Sequence, residues 1–227
     1  MNIHFVLIGE GASDDGLIPH LESLCIQAGA DEVIGTAPDL SRLPEPVGHA
    51  LQDKVPAVLR LEPQANLLLI HRDADSPCAA QRHDEIRQAV EVCRSRKDYV
   101  AVVPVQETEA WLLLDESAIR RVAGKPSGRN DLNLPRPANV ETVARPKERL
   151  KGALLAAAEV TGRRRKRFEA DFASQRRLLL QRLPVGGPLS QVPAWVAMKA
   201  ALKKAIARLN AARELSSAET DQCAEQQ

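Results

Sequence analysis

Three short apolar runs, each followed by acidic residues, constrain this chain more than any other feature. Ile3 to Ile8 is nearly continuous in apolar side chains, and Asn66 to His71 and Tyr99 to Val105 repeat the pattern. Strands that are apolar on both faces must be covered on both faces, the condition of a parallel sheet with helical crossovers. After the first run, Leu17, Leu21, Leu24, Cys25 and Ala28 recur at three- and four-residue steps, predicting a buried helical face that ends near Gly29. Pro19 implies a kink or a late start for that helix. A short strand at Glu32 to Ile34 and a helix at Val47 to Val55 follow with weaker patterning. Ser76-Pro77 reads as an N-cap and first helical residue, leading into a helix with Ile86, Ala89, Val90 and Cys93 on one face. Glu107 to Leu114 reads as a turn feeding a short helix.

The segment from Gly124 to Pro146 is rich in proline and poor in apolar residues, and beyond it only helical spacing remains. Leu150, Leu154 and Ala158 mark one helix, Phe168 and Phe172 anchor a second, and Trp195, Met198, Leu202, Ile206 and Leu209 mark a third. The expected organisation is an α/β domain over residues 1–123, a Pro-rich loop over 124–146, a helical extension packed on the first part over 147–215, and a frayed polar tail over 216–227. The fold class expected is thus α/β, a mainly parallel sheet with flanking helices and a C-terminal helical extension.

Composition narrows the function. With 31 basic and 30 acidic side chains among 227 residues the net charge is +1, so the whole chain is not a basic nucleic-acid glue and charge has to be read regionally. Aromatic residues make up only 3%, too few for an OB-type or RRM-type stacking surface. Cys25, Cys78, Cys93 and Cys223 form no CxxC pair and read as reduced thiols of a cytoplasmic protein. No run is long and apolar enough for a membrane span or a signal segment.

The acidic residues are the informative feature. Glu10 follows the first run, Asp73 and Asp75 the second, Glu107 and Glu109 the third. In an open parallel sheet the ligand site forms outside the carboxyl ends of the strands, so these acids are expected to converge on one crevice. Convergent carboxylates call for a hard cation such as Mg²⁺ or Mn²⁺, and two ions would suit in-line phosphoryl displacement. Phosphodiester cleavage is the reaction class favoured. No serine elbow, P-loop or dinucleotide GxGxxG accompanies them.

Gly9-Glu10-Gly11 with Asp14, then His71-Arg72-Asp73-Ala74-Asp75, resembles the Toprim domain of topoisomerases, primases and overcoming-lysogenization-defect nucleases. The stretch Val103 to Leu113, with Glu107-Thr108-Glu109-Ala110-Trp111-Leu112-Leu113, is similar to that of small stand-alone Toprim-like bacterial proteins of unknown function. These are often encoded beside AAA or ABC-type ATPases in anti-phage loci. The resemblance implies that Glu10 is the catalytic general base or acid, that Asp73 and Asp75 hold the metal, and that Asp14, Glu107 and Glu109 complete a second metal site. It also implies a partner ATPase.

Each residue has a plainer reading. Gly9 and Gly11 suit a tight turn, Asp14 and Asp15 a helix start, and Asp75 a helix cap; Glu107 and Glu109 suit the first turn of a helix. His71 suits a satisfied core histidine and Trp111 core packing. The basic stretch Arg163, Arg164, Arg165, Lys166 and Arg167, continued by Arg176, Arg177 and Arg182, reads either as a solvated helix face or as a nucleic-acid track that Lys147 could join. A metal-dependent nuclease acting on DNA or RNA is the leading expectation, with possible homo-oligomerisation. The alternative is a non-catalytic module that binds nucleic acid or docks an ATPase. A haloacid-dehalogenase-type phosphatase fits less well, because its Asp pair belongs after the first strand, where Glu10 stands.

Overall fold

The computed structural model describes residues 1–224, and the side chains of residues 1–215. Four strands form one sheet: β1 (Asn2–Ile8), β2 (Glu32–Thr36), β3 (Leu67–His71) and β4 (Asp98–Val102). All pairs are parallel and the order is β2-β1-β3-β4. The chain is an α/β protein of the kind the apolar runs predict. β1 lies between β2 and β3, so the strand order reverses beside it, and the point of reversal lies between the ends of β1 and β3.

Near-continuous hydrophobicity in β1 and β3 serves two separate cores. Phe5, Leu7, Leu67 and Leu69 face one buried cluster, while Val6, Ile8, Leu68 and Ile70 face the other. The second face is covered by α2 (Leu51–Leu61) and α3 (Ala80–Val92). The first is covered by α1 (Ile18–Gln27) and by the later helices, α4 (Glu109–Leu112) through α9 (Pro193–Ala224). Between these lie α5 (Glu116–Val122), α6 (Pro146–Ala158), α7 (Gly162–Ala170) and α8 (Phe172–Leu180). Trp111 on α4 meets Trp195 on α9 edge to face, ring centroids 4.9 Å apart, so the helical part and the sheet share a single hydrophobic cluster running from Ile3 to Ile206.

Several local expectations shift. α1, by contrast, takes the late start that Pro19 implies: it begins at Ile18 after a 3₁₀ turn over Ala12–Leu17, and Pro19 falls in the first turn where no N–H is needed. α2 spans Leu51–Leu61 rather than Val47 to Val55, with Pro56 inside it. β2 runs on to Thr36, and β4 ends at Val102 instead of Val105. Ser76 does not cap α3, which starts four residues later at Ala80. Its carbonyl accepts from Gln106 N at 3.1 Å and its hydroxyl donates to Cys78 O, so it serves a loop instead. Helix α9 carries the backbone through to Ala224 where a frayed tail was expected from Ser216, and the last three residues lie outside the described ones. Among the described residues no helix is long and apolar enough to cross a membrane.

Candidate functional site

Backbone pairing between β3 and β4 continues beyond the strands and builds the site. Arg72 N donates to Val102 O, Ala74 N to Pro104 O and Asp75 N to Gln106 O, and Gln106 N donates back to Ser76 O. Asp75 and Gln106 both adopt left-handed backbone, φ 52° and 64°, where the two loops are zipped together. The result sets Asp73 against the start of α4. Its Oδ1 accepts from the Thr108 backbone N and the Thr108 hydroxyl, both at 2.9 Å.

From the other side, the turn after β1 brings in Asp14. Asp14 Oδ2 accepts from Glu10 N at 2.9 Å and Gly11 N at 3.3 Å, closing the start of the 3₁₀ turn. Gly9 lies so close that a Cβ there would stand 3.0 Å from Asp14 Oδ2. Lys54 of α2 donates to the Gly9 carbonyl at 2.8 Å and fixes this turn from below.

His71, the last residue of β3 and only 1% exposed, joins the two halves. Its Nδ1 lies 3.2 Å from Asp14 Oδ2 as an ion-pair contact without an aligned hydrogen bond, and its Nε2 lies 2.9 Å from Thr108 Oγ1. Because the Thr108 hydroxyl donates to Asp73, it must accept from His71. Burial opposes a charge on His71, but Asp14 beside it, together with Asp73 and Glu10, raises its pKa above the usual value. Asp14 moves the opposite way: burial pushes it up, the contacts with His71 and the two backbone N–H groups outweigh that, and it falls to about 2. Asp73 is pushed up to about 6, first by burial and also by the charges of Glu10 and Glu109, against the pull of His71 and Thr108. The plainer reading of His71 as a satisfied core histidine was half the picture, since what satisfies it is the acidic site.

The acids converge unevenly. Glu10, Asp14, Asp73, Glu107 and Glu109 line one cavity of about 850 Å³ at the carboxyl ends of β1, β3 and β4. Asp75 does not line it: 60% exposed, it pairs with Arg82 of α3 at 2.9 Å. Glu10 faces Arg72 at 3.4 Å. Glu109 pairs with Arg176 of α8 at 2.7 Å, and Glu107 accepts from Lys147 N at 3.0 Å, serving as a cap for α6, whose own Arg145 offers none. Lys147, Arg176 and Arg177 also line the cavity, while Arg163, Arg164, Arg165, Lys166 and Arg167 lie exposed on α7 outside it. Arg165 there pairs with Glu169 at 3.0 Å. From the sequence, Thr108 and Arg72 carry no assigned role, His71 reads as a core histidine and Arg176 as part of the basic stretch. Thr108 stood inside the quoted acidic stretch, but nothing in the sequence ties Arg176 to Glu109.

Among the described residues, no three His, Cys, Asp or Glu side chains stand gathered as a metal-holding group. The donor chemistry nonetheless fits a hydrated hard cation, which needs only one or two carboxylates. Asp73 Oδ2 and Glu10 Oε2 accept no hydrogen bond among the described residues. Comparison with known protein families, with curated proteins and with solved structures finds no match.

Proposed function

We propose that the chain is a Mg²⁺- or Mn²⁺-dependent phosphodiester hydrolase acting on nucleic acid, with its centre in the cavity at the ends of β1 and β3. One observation carries this reading: at the point where the strand order reverses, burial first, and then the charges of Glu10 and Glu109, push Asp73 up to about 6, and its Oδ2 accepts no hydrogen bond among the described residues. The resemblance of the Glu10, Asp73 and Glu107 to Leu113 stretches to Toprim proteins supports the same chemistry, and it alone suggests an ATPase partner.

Asp73 and Glu10 are the residues that would hold a cation. When bound, such an ion neutralises phosphate charge and lowers the pKa of a coordinated water. Glu10, the more accessible of the two, takes the proton of the attacking water. Asp14 is occupied by two N–H donors and His71 and acts as a positioning group. Lys147 and Arg177 on the cavity wall attract the phosphate. Arg176 is committed to Glu109.

One observation favours the non-catalytic alternative: Glu10, Asp14, Glu107 and Glu109 each already have a partner within the protein. Cleavage of plasmid DNA and bulk tRNA with Mg²⁺ or Mn²⁺, at matched protein and salt, separates the two readings. Wild-type protein is expected to cleave, Asp73→Ala to be inactive with an unchanged circular dichroism spectrum, and Glu10→Gln to be slowed about 10²- to 10⁴-fold. Metal-independent nucleic-acid binding without turnover in any of them establishes the binding module instead.

A further inference from the structure

A second cavity, of about 450 Å³, opens between α6, α7 and α8, and Phe172 stands in the wall it shares with the acidic cavity. Its lining is unlike that of its neighbour. The chain has three phenylalanines; Phe5 is fully buried in the core, and the other two, Phe168 and Phe172, both line this groove. Leu155 supplies further apolar surface, and Lys151 Nζ stands 5.2 Å from the centre of the Phe172 ring. The charged residues at the rim cancel in pairs, Lys151 with Glu148 at 2.7 Å and Arg165 with Glu169 at 3.0 Å. A groove that is apolar inside and neutral at its rim does not select a phosphate.

Two details point to a flat polar heterocycle. Gln175, only 7% exposed, lines the groove and donates from its side-chain nitrogen to Phe168 O at 2.8 Å. Its amide oxygen has no partner among the described residues and can accept from a ring N–H or exocyclic amine. On α6, Gly152 leaves the opposite wall open, with no atom within 4 Å of where a Cβ would stand. Aromatic side chains beside an open hydrogen-bond acceptor are features by which proteins take up an unstacked base.

We propose that this groove is a nucleobase subsite. It takes one unpaired base of a nucleic-acid strand whose phosphate lies in the acidic cavity, so the substrate class is single-stranded or locally unpaired nucleic acid. The proposal rests on the nuclease reading for the role of the neighbouring cavity, but base binding is measurable without turnover. Low aromatic content does not oppose it, because the two partly buried phenylalanines are concentrated in one place.

The test is the affinity of a fluorescein-labelled oligothymidylate, of the same strand annealed to its complement, and of an abasic strand of equal length, all in Ca²⁺ at fixed salt. Wild type, Phe168→Ala and Gly152→Leu are compared. At Gly152 a Cβ has no atom within 4 Å and leucine is the better helix former, so Gly152→Leu puts bulk into the groove at little expected cost to the helix. Wild type is expected to bind the base-bearing strand about fivefold or more tighter than the abasic one. Both variants should lose most of that difference while binding the abasic strand as before. Equal affinity for base-bearing and abasic strands, no binding of any strand, or an unaffected Gly152→Leu overturns the subsite. Failure of the nuclease reading looks different: base-dependent binding persists, but no metal supports cleavage and Asp73→Ala changes nothing.

Discussion

The loops after β3 and β4 carry acids of the same kind at the same end of the sheet, yet the structure uses them differently. After β4, Glu109 is closed off by Arg176 of α8 and Glu107 by the first turn of α6. They are fasteners that pull the late helices onto the sheet. After β3, Asp73 is held by Thr108 on one oxygen only and carries a raised pKa, while Asp75 turns out to Arg82. A carboxylate whose charge is fully answered stabilises a fold, whereas one left partly unanswered is available for chemistry.

Removing a fastener should have the largest effect on stability. Glu109→Ala leaves Arg176, itself 13% exposed, without its close partner, and should cost about 3 kcal/mol in urea unfolding at pH 7. Adding Arg176→Met should recover most of the loss, and a Glu109→Ala protein as stable as wild type would erase the distinction between the loops.

Asp73 should behave oppositely. Its folded-state pKa of about 6 exceeds the ordinary 3.8, so the folded form holds its proton more tightly. That contribution to stability is present at low pH and is lost as pH rises from about 4 through 6. In metal-free protein, Asp73→Asn keeps an acceptor for Thr108 and should be about 2 kcal/mol more stable than wild type at pH 8. By pH 4 the gain should vanish, and thermal melts across that range would show it. A constant difference at all pH values would mean that packing, not charge, distinguishes the residue.

Smaller effects sharpen the contrast within each loop. Glu107→Ala should cost about 1 kcal/mol, the typical value of a helix cap, read from the urea midpoint. Asp75→Asn, with a residue that tolerates the left-handed backbone, should change stability by less than about 0.5 kcal/mol and leave metal-dependent cleavage intact. Loss of cleavage in Asp75→Asn would return that residue to the centre.

The sheet was legible because β1 and β3 are apolar on both faces, a pattern that few other structures require. Convergence of Glu10, Asp73, Glu107 and Glu109 was legible for a related reason: strand ends are set by the same runs, and parallel strands end together; Asp14 came in through the resemblance alone, and Asp75, expected with them, does not line the cavity. What spacing could not reveal was the partner of each acid. Asp73 and Asp75 look alike in the sequence, and only the positive φ at Asp75 and its pairing with Gln106 send their side chains different ways. Ser76 looked like a helix cap because its backbone engagement with that same loop is invisible locally. Arg176 and Arg177 belong to the same basic stretch as the exposed arginines of α7, and only the way α8 lies against the turn after β1 decides that these two line the cavity.

The edge-to-face contact of Trp111 and Trp195 also bears on how the chain comes into being. On a ribosome adding roughly 5–20 residues per second, Trp111 waits on the order of ten seconds for its partner to emerge. During that interval α4 and the sheet face beneath it lack the cover that α9 provides. Until Trp195 emerges the nascent chain therefore leaves this apolar face without its last cover, and a chain that stops at the Pro-rich loop leaves it so for good.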